Sequence, residues 1–242
     1  VEKYCEKHSI PCFIFNAPYH SKGNFQDYAR IFRYEKMIEI QNQVNADAIV
    51  VAHHKDDDIE TFLFQKERKS SVDYYGLKEE GQYKKSKLIR PFIKFHKSEL
   101  IEYCELNEIE FGIDESNENL KYVRNRIREQ LRHFTTQQKD DLLKQKEEFN
   151  TTRHAYLVKH QHDLEKTSMS MNAYLKLDKS FLLEWLRYHR VKKSISSSFI
   201  IELDRQIRDS NSFVINTDSK RIIKQYNRIS LIDLETKFYL YN

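Results

Sequence analysis

Between Ala48 and Thr61 the chain reads Ala-Ile-Val-Val-Ala-His-His-Lys-Asp-Asp-Asp-Ile-Glu-Thr. An apolar run stops at His53-His54, and Asp56, Asp57, Asp58 and Glu60 follow at once. Carboxylates favour a helix N-terminus, where the macrodipole is positive. Four of them are more than one cap uses. Asp57 and Glu60 are three apart and Asp56 and Glu60 four apart, so they share a helix face on which like charges repel. A magnesium ion, an ammonium group or both would relieve that repulsion. A capped, solvated first turn is the other reading of the same residues.

Two cationic groups accompany the acidic one. In Ala29-Arg-Ile-Phe-Arg-Tyr34, Arg30 and Arg33 are three apart and can point the same way. Paired guanidiniums bind phosphate through bidentate contacts, although the same spacing also occurs on ordinary surface helices. Farther on, Arg124, Arg128 and Arg132 recur every fourth residue, with Asn125 and Arg126 around the helix from them. From Lys121 to His133 five Lys/Arg face one acid, an excess of four that matches the net charge of +4 for the whole chain. A localised basic stripe is what a polyanion needs; a solvated helix face is the plainer alternative. His53 and His54, adjacent at a strand end, point to opposite faces and do not grip one metal together.

The apolar pattern supplies the elements that position these groups. Ala48 to Ala52 reads as a buried strand, Phe25 to about Val44 as a helix, and the acidic motif as the start of a helix to about Arg68. Upstream, a helix end runs into Pro11 and a strand from Cys12 to Phe15. Strand, helix, strand, helix in this order predicts an α/β fold with an open parallel sheet, whose ligands bind beyond the C-terminal strand ends. Lys69 to Lys87 reads as a long mobile loop, Leu88 to Ile93 as a short extended piece, Lys97 to Asn107 as a helix, and Asp114, Ser116 and Asn117 as a turn with capping residues before a helix over about 120–131. Thr135 to about Thr167 is a long polar helix, a solvated connector or a binding face. Helices over Phe181–Tyr188 and Ser197–Ile207 and short strands at Ser212–Asn216, Arg221–Tyr226 and Ile229–Leu234 complete the chain. The domain boundary is expected near residue 133, giving domains 1–133 and 134–242.

With 242 residues, 32% of them charged, the chain can build two such domains. No apolar run is long enough to span a bilayer, and no secretory leader pattern is visible. Cys5, Cys12 and Cys104 have an odd count and no C-x-x-C spacing, which suits a reducing, cytoplasmic setting and argues against a zinc ribbon or disulfide framework. No Walker-A or G-x-S-x-G sequence is present.

Taken together, Ala29-Arg30-x-x-Arg33-Tyr34, the HHxDDxxET pattern from His53 to Thr61, Arg90-Pro91 and the DxSNxxxxYxRNxIR pattern from Asp114 to Arg128 resemble the tRNA(Ile)-lysidine synthetases of the PP-loop ATP pyrophosphatase group. The resemblance is strong over about residues 10–132 and weaker beyond. It implies the PP-loop type of α/β sheet, here partial, followed by a smaller, mostly helical tRNA-binding domain with short terminal strands. It implies an ATP- and magnesium-dependent ligase that adenylates the wobble cytidine of a tRNA(Ile) with a CAU anticodon. Free lysine then displaces AMP, and decoding shifts from AUG to AUA.

By motif position Asp57 and Glu60 take the lysine ammonium or the metal, with Asp56 as second metal carboxylate. Arg30 and Arg33 take phosphate or the activated cytidine. His54, Asp56, Asn125, Arg124, Arg128 and Arg132 bind substrate, the arginines along the RNA backbone. The group leaves room for a homodimer and none for a membrane partner. Its Ser-Gly-Gly-x-Asp-Ser nucleotide loop lies upstream of the region matched here, so these 242 residues alone are expected not to form lysidine. Its Arg-Gly-Ser/Thr-Gly segment is replaced by Arg68-Lys69-Ser70-Ser71. A tRNA thiolase, which would bring C-x-x-C cysteines, and a non-catalytic RNA-binding module are the competing expectations.

Overall fold

The computed structural model describes residues 1–18, 25–68, 72–112, 123–178, 180–192 and 195–235. They form two compact units, the first from Val1–Thr61 and Gly76–Thr136, the second from Phe62–Tyr75 and Gln137–Asn242. Among the described residues no helix is long and apolar enough to cross a membrane. The expected capping turn at Asp114–Asn117 and the segment Lys69–Ser71 lie outside the described residues.

The first unit holds α1 (Glu2–Lys7), α2 (Phe25–Gln43), β1 (Ala48–Val50), the N-terminal part of α3 (Lys55–Glu67), β2 (Glu80–Tyr83), β3 (Ser86–Ile89), a 3-10 turn (Pro91–Lys94), α4 (Lys97–Leu106) and α5 (Val123–Arg132). Its sheet order is β1-β3-β2. β1 and β3 run parallel, with Ile49 opposite Leu88, as an α/β class requires. β2 is antiparallel to β3, with Gly81 opposite Leu88, so the sheet is mixed rather than purely parallel. Tyr34 from α2, Ile49, Val51 and Leu88 make the buried cluster, against which Met37, Ile38 and Tyr83 pack. The Tyr34 and Tyr83 rings stack at 4.6 Å between centroids.

Two expectations do not hold. Cys12–Phe15 is not a strand. Phe13 and Phe15, both exposed, instead line an apolar cavity of about 500 Å³ with Met37, Ile40 and Ile49 and join no ladder. The stretch read as a mobile loop to Lys87 contains β2 and the start of β3, joined through Lys84, which takes the left-handed conformation at φ 53°. β2 alternates exposed and half-buried positions; an edge strand with one wet face carries too little apolar signal to read in advance.

This hairpin is tied down by named bonds. The Leu77 N–H donates to Asp58 Oδ1 at 2.6 Å. Arg90, only 6% exposed, donates from Nη1 to the Lys78 carbonyl at 2.8 Å. Gly81 lets that guanidinium approach, because a Cβ there would stand 2.9 Å from Arg90 Nη1. Gly81→Ala should therefore destabilise the protein by about 1–3 kcal/mol through overpacking. Urea unfolding measures it, and a change under about 0.5 kcal/mol would show that Arg90 steps aside freely.

The second unit begins with the C-terminal part of α3 and continues through α6 (Thr136–Leu164), β4 (Ser168–Ser170), α7 (Met171–Tyr174), α8 (Phe181–Tyr188), α9 (Ser197–Asp209), β5 (Phe213–Asn216), β6 (Lys220–Gln225) and β7 (Arg228–Asp233). Its antiparallel sheet has the order β4-β7-β6-β5. Leu164, Phe181, Trp185, Leu186, Leu203, Ile207, Ile222 and Ile229, with other apolar residues, fill the core. Trp185 is fully buried and gives its indole N–H to the Lys166 carbonyl at 2.6 Å, so it is core and not a base-stacking platform. Lys224, 6% exposed, donates to the Ile207 carbonyl at 2.5 Å and satisfies an open acceptor in the last turn of α9.

The polar helix α6 has anchors that its composition hides. Asn150 clamps the backbone of Tyr75 from both sides, accepting its N–H at 2.8 Å and donating to its carbonyl at 3.1 Å. Arg153 forks onto Glu184, with N–O distances of 3.2 and 2.7 Å, and reaches the Asp73 carbonyl. Phe149 packs on Phe62 and Tyr75.

Candidate active site

Beyond the C-terminal end of β1 lies a cavity of about 460 Å³, wholly within the first unit. Its wall includes Arg30 and Arg33 of α2, His53 from the loop after β1, Asp57 and Glu60 of α3, and Arg124 and Arg128 of α5. The strand-end position is the one expected of an α/β sheet. Four guanidiniums face two carboxylates, so the cavity attracts anions overall while keeping a negative corner.

Each element holds its groups for a local reason. α2 buries Tyr34 almost completely, and the Arg30 and Arg33 guanidiniums lie 4.9 and 5.9 Å from the centre of that ring. A cation over an aromatic face is attracted by the ring quadrupole, which limits how far the two side chains wander. α3 places its acids at the helix start, where the free N–H groups and the dipole stabilise them.

The four carboxylates have four different partners within the protein. Asp56 accepts the Lys97 N–H at 2.9 Å and so caps α4. Asp57 accepts the His54 N–H at 3.0 Å, closing the first turn of α3. Asp58 holds the Leu77 N–H. Glu60, 3% exposed, takes the Arg128 Nε–H at 2.5 Å and lies 3.7 Å from Arg124 Nη1. The imidazole of His54 stands between the first two acids, 3.9 Å from Asp56 Oδ2 and 3.4 Å from Asp57 Oδ2. Asp56 and Asp57 thus each have one oxygen committed to a backbone N–H. Among the described residues no group of three or more His, Cys, Asp and Glu is arranged to hold a metal.

The basic stripe is divided in the same way. Arg124 and Arg128 turn to Glu60, whereas Arg132 pairs with Glu129 at 2.9 Å on the exposed side of α5. The single cationic edge suggested by the four-residue spacing is thus replaced by two arginines in the cavity and one outside it. Asn125 is buried in α5, and His54, Asp56, Asn125 and Arg132 are absent from the cavity wall.

Sequence reasoning assigns His53 no role, yet His53 lines the cavity and His54 does not. Burial lowers its pKa from the ordinary histidine value; Asp57 opposes the shift, and Arg90, Arg30 and Arg33 add to it. Arg90, marked in the sequence only by the Arg90-Pro91 pair, belongs to this electrostatic frame. The HH and RP patterns flag both residues without distinguishing their roles.

An α/β sheet with a charged cavity at its strand ends has the arrangement in which proteins of this class bind their ligands. The PP-loop domain family matches residues 1–134, more than half of the chain, and the chain belongs to that family. It is 29% identical over 247 residues to the tRNA(Ile)-lysidine synthase of Mesoplasma florum, covering 96% of this chain and 62% of the relative. It is 31% identical over 241 residues to that of Mycoplasma mycoides subsp. mycoides, covering 91% and 59%. To that of Mycoplasmopsis pulmonis it is 40% identical over 133 residues, covering 54% and 46%. The chain thus spans about half to three fifths of the length of the curated relatives it matches.

Proposed function

We propose that the protein takes part in lysidine synthesis: ATP-dependent ligation of free lysine to the wobble cytidine of a tRNA(Ile) with a CAU anticodon, in the cytoplasm where these substrates meet. The observation that carries the reading is the cavity that sets Asp57 and Glu60 opposite Arg30, Arg33, Arg124 and Arg128. The reaction needs both signs of charge at one place. Adenylation of the cytidine oxygen concentrates negative charge at the α-phosphate, and preorganised guanidiniums stabilise it without reorganising. The second step needs an amine, and an ammonium group is drawn to the acidic corner.

In this reading Arg30 and Arg33, steadied over Tyr34, grip the phosphate. Asp57 orients the lysine ammonium. Glu60 reaches that ammonium only in exchange with Arg128 and Arg124, which then turn to meet the RNA. Asn125 supports α5 from within, and Arg132 reaches the RNA backbone from outside the cavity. His54 and Asp56 shape the start of α3. A magnesium ion, held near Asp57 and Asp56, would supply neutralisation of the phosphate charge. The second unit is assigned to holding the tRNA body.

The test uses the product of the whole reading frame that contains these residues. With ATP, magnesium and a CAU-anticodon tRNA(Ile), labelled lysine should enter the RNA and AMP should appear only when lysine is present. AMP release driven by a sulfur donor would assign the protein to the thiolases. RNA binding without AMP release would leave a binding module. C-x-x-C spacing, which a thiolase would bring, is missing from the sequence.

A further inference from the structure

We propose that His53 is the base that takes the proton from the attacking amine, a role that rests on the lysidine-forming reading above. An alkylammonium has a pKa near 10.4 and no lone pair to attack with, so it must lose a proton in the site. The acids of the cavity are poorer candidates, because each already has an oxygen committed within the protein. Asp57 accepts the His54 N–H at 3.0 Å and also faces the His54 ring at 3.4 Å. Glu60 is held by Arg128 at 2.5 Å and Arg124 at 3.7 Å.

His53 differs from both. It lines the same cavity, and its Nδ1 is buried with no hydrogen-bond partner. A neutral imidazole has one N–H and one nitrogen with a free lone pair; with Nδ1 sealed off, Nε2 is the nitrogen that would take the proton from a substrate in the cavity. Burial and the cations Arg90, Arg30 and Arg33 outweigh Asp57 and keep the ring neutral at neutral pH, which is the state a base requires. Asp57 on the same wall would favour the imidazolium once it forms.

One proton passes from the lysine ε-ammonium to the imidazole. The freed lone pair makes the bond from lysine nitrogen to C2 of the adenylated cytidine. The C2–O bond breaks, its electron pair leaves with AMP, and the new C2–N linkage sheds its second proton to water. The imidazolium then returns its proton to water.

The test follows two rates in the protein from the whole reading frame: pyrophosphate release, which reports adenylation, and lysine-dependent AMP release. His53→Ala and His53→Gln should lower the second by about 10²-fold or more, and well beyond any fall in the first. The wild-type second rate should decline on the acid side as His53 becomes protonated, and the variants should lose that limb. Added imidazole should restore His53→Ala in part. The proposal is overturned if either variant keeps the lysine step within about threefold of wild type, short of the usual contribution of a base. Equal loss of both rates, or failure of imidazole rescue, would also overturn it. A wild-type protein that releases pyrophosphate but never transfers lysine would instead overturn the function assigned above.

Discussion

Asp57→Asn should slow lysine-dependent product formation by about 10²–10³ while leaving the protein folded. The two effects separate because the carboxylate has two tasks. One oxygen accepts the His54 N–H at 3.0 Å and closes the first turn of α3; an amide oxygen does the same, and losing a cap altogether would cost about 1 kcal/mol. The charge is what a cationic substrate needs, and an amide does not supply it. Rate and urea midpoint should therefore dissociate. A change under about threefold in rate would remove Asp57 from the mechanism, since a group that stabilises developing charge contributes far more.

Arg128→Ala should have the largest effect on stability, about 3 kcal/mol. It leaves Glu60, whose side chain is 5% exposed, without its 2.5 Å partner, and breaking a buried pair from one side typically costs about 3–5 kcal/mol. The lower end applies because Arg128 is 40% exposed and Arg124 remains 3.7 Å from Glu60. Glu60→Gln should cost less, because the amide still accepts a hydrogen bond. The double variant should be more stable than the sum of the two changes predicts, by about 0.5–3 kcal/mol. Urea unfolding followed by circular dichroism gives all three values, and strict additivity would refute the pairing. In Arg128→Ala the salt dependence of tRNA binding should also flatten, by about 0.7–0.9 for each phosphate no longer neutralised. An unchanged slope alongside a large loss of stability would make Arg128 an internal brace that never meets RNA.

The parts of the fold legible in the sequence are those with strong local periodicity. α2, α3, α4, α8 and α9 follow apolar repeats with recognisable starts, and β1 stands out as an apolar run ending at His53. The parts that are not legible depend on distant partners. β2 is polar because its outer face is wet, and Ser168-Met169-Ser170 becomes β4 only by pairing with β7. In the cavity, residue types and spacing single out Asp57, Glu60, Arg30, Arg33, Arg124 and Arg128. Spacing along one helix cannot show that Asp56 caps α4 or that Glu60 faces α5. Nor can it show which of two adjacent histidines lines the cavity, because that is fixed by the turn from β1 into α3.

The polar stretch from Tyr75 to Lys78 is fastened at short intervals. Asn150 holds both backbone groups of Tyr75. Asp58 holds Leu77, and Arg90 holds the Lys78 carbonyl. Proteases need several consecutive residues to peel away before cutting. Lys78, Lys84, Lys85 and Lys87 are tempting sites for trypsin by sequence, but Lys78 and Lys87 sit where little chain can be lifted out, and the hairpin tip at Lys84-Lys85 is left as the vulnerable point.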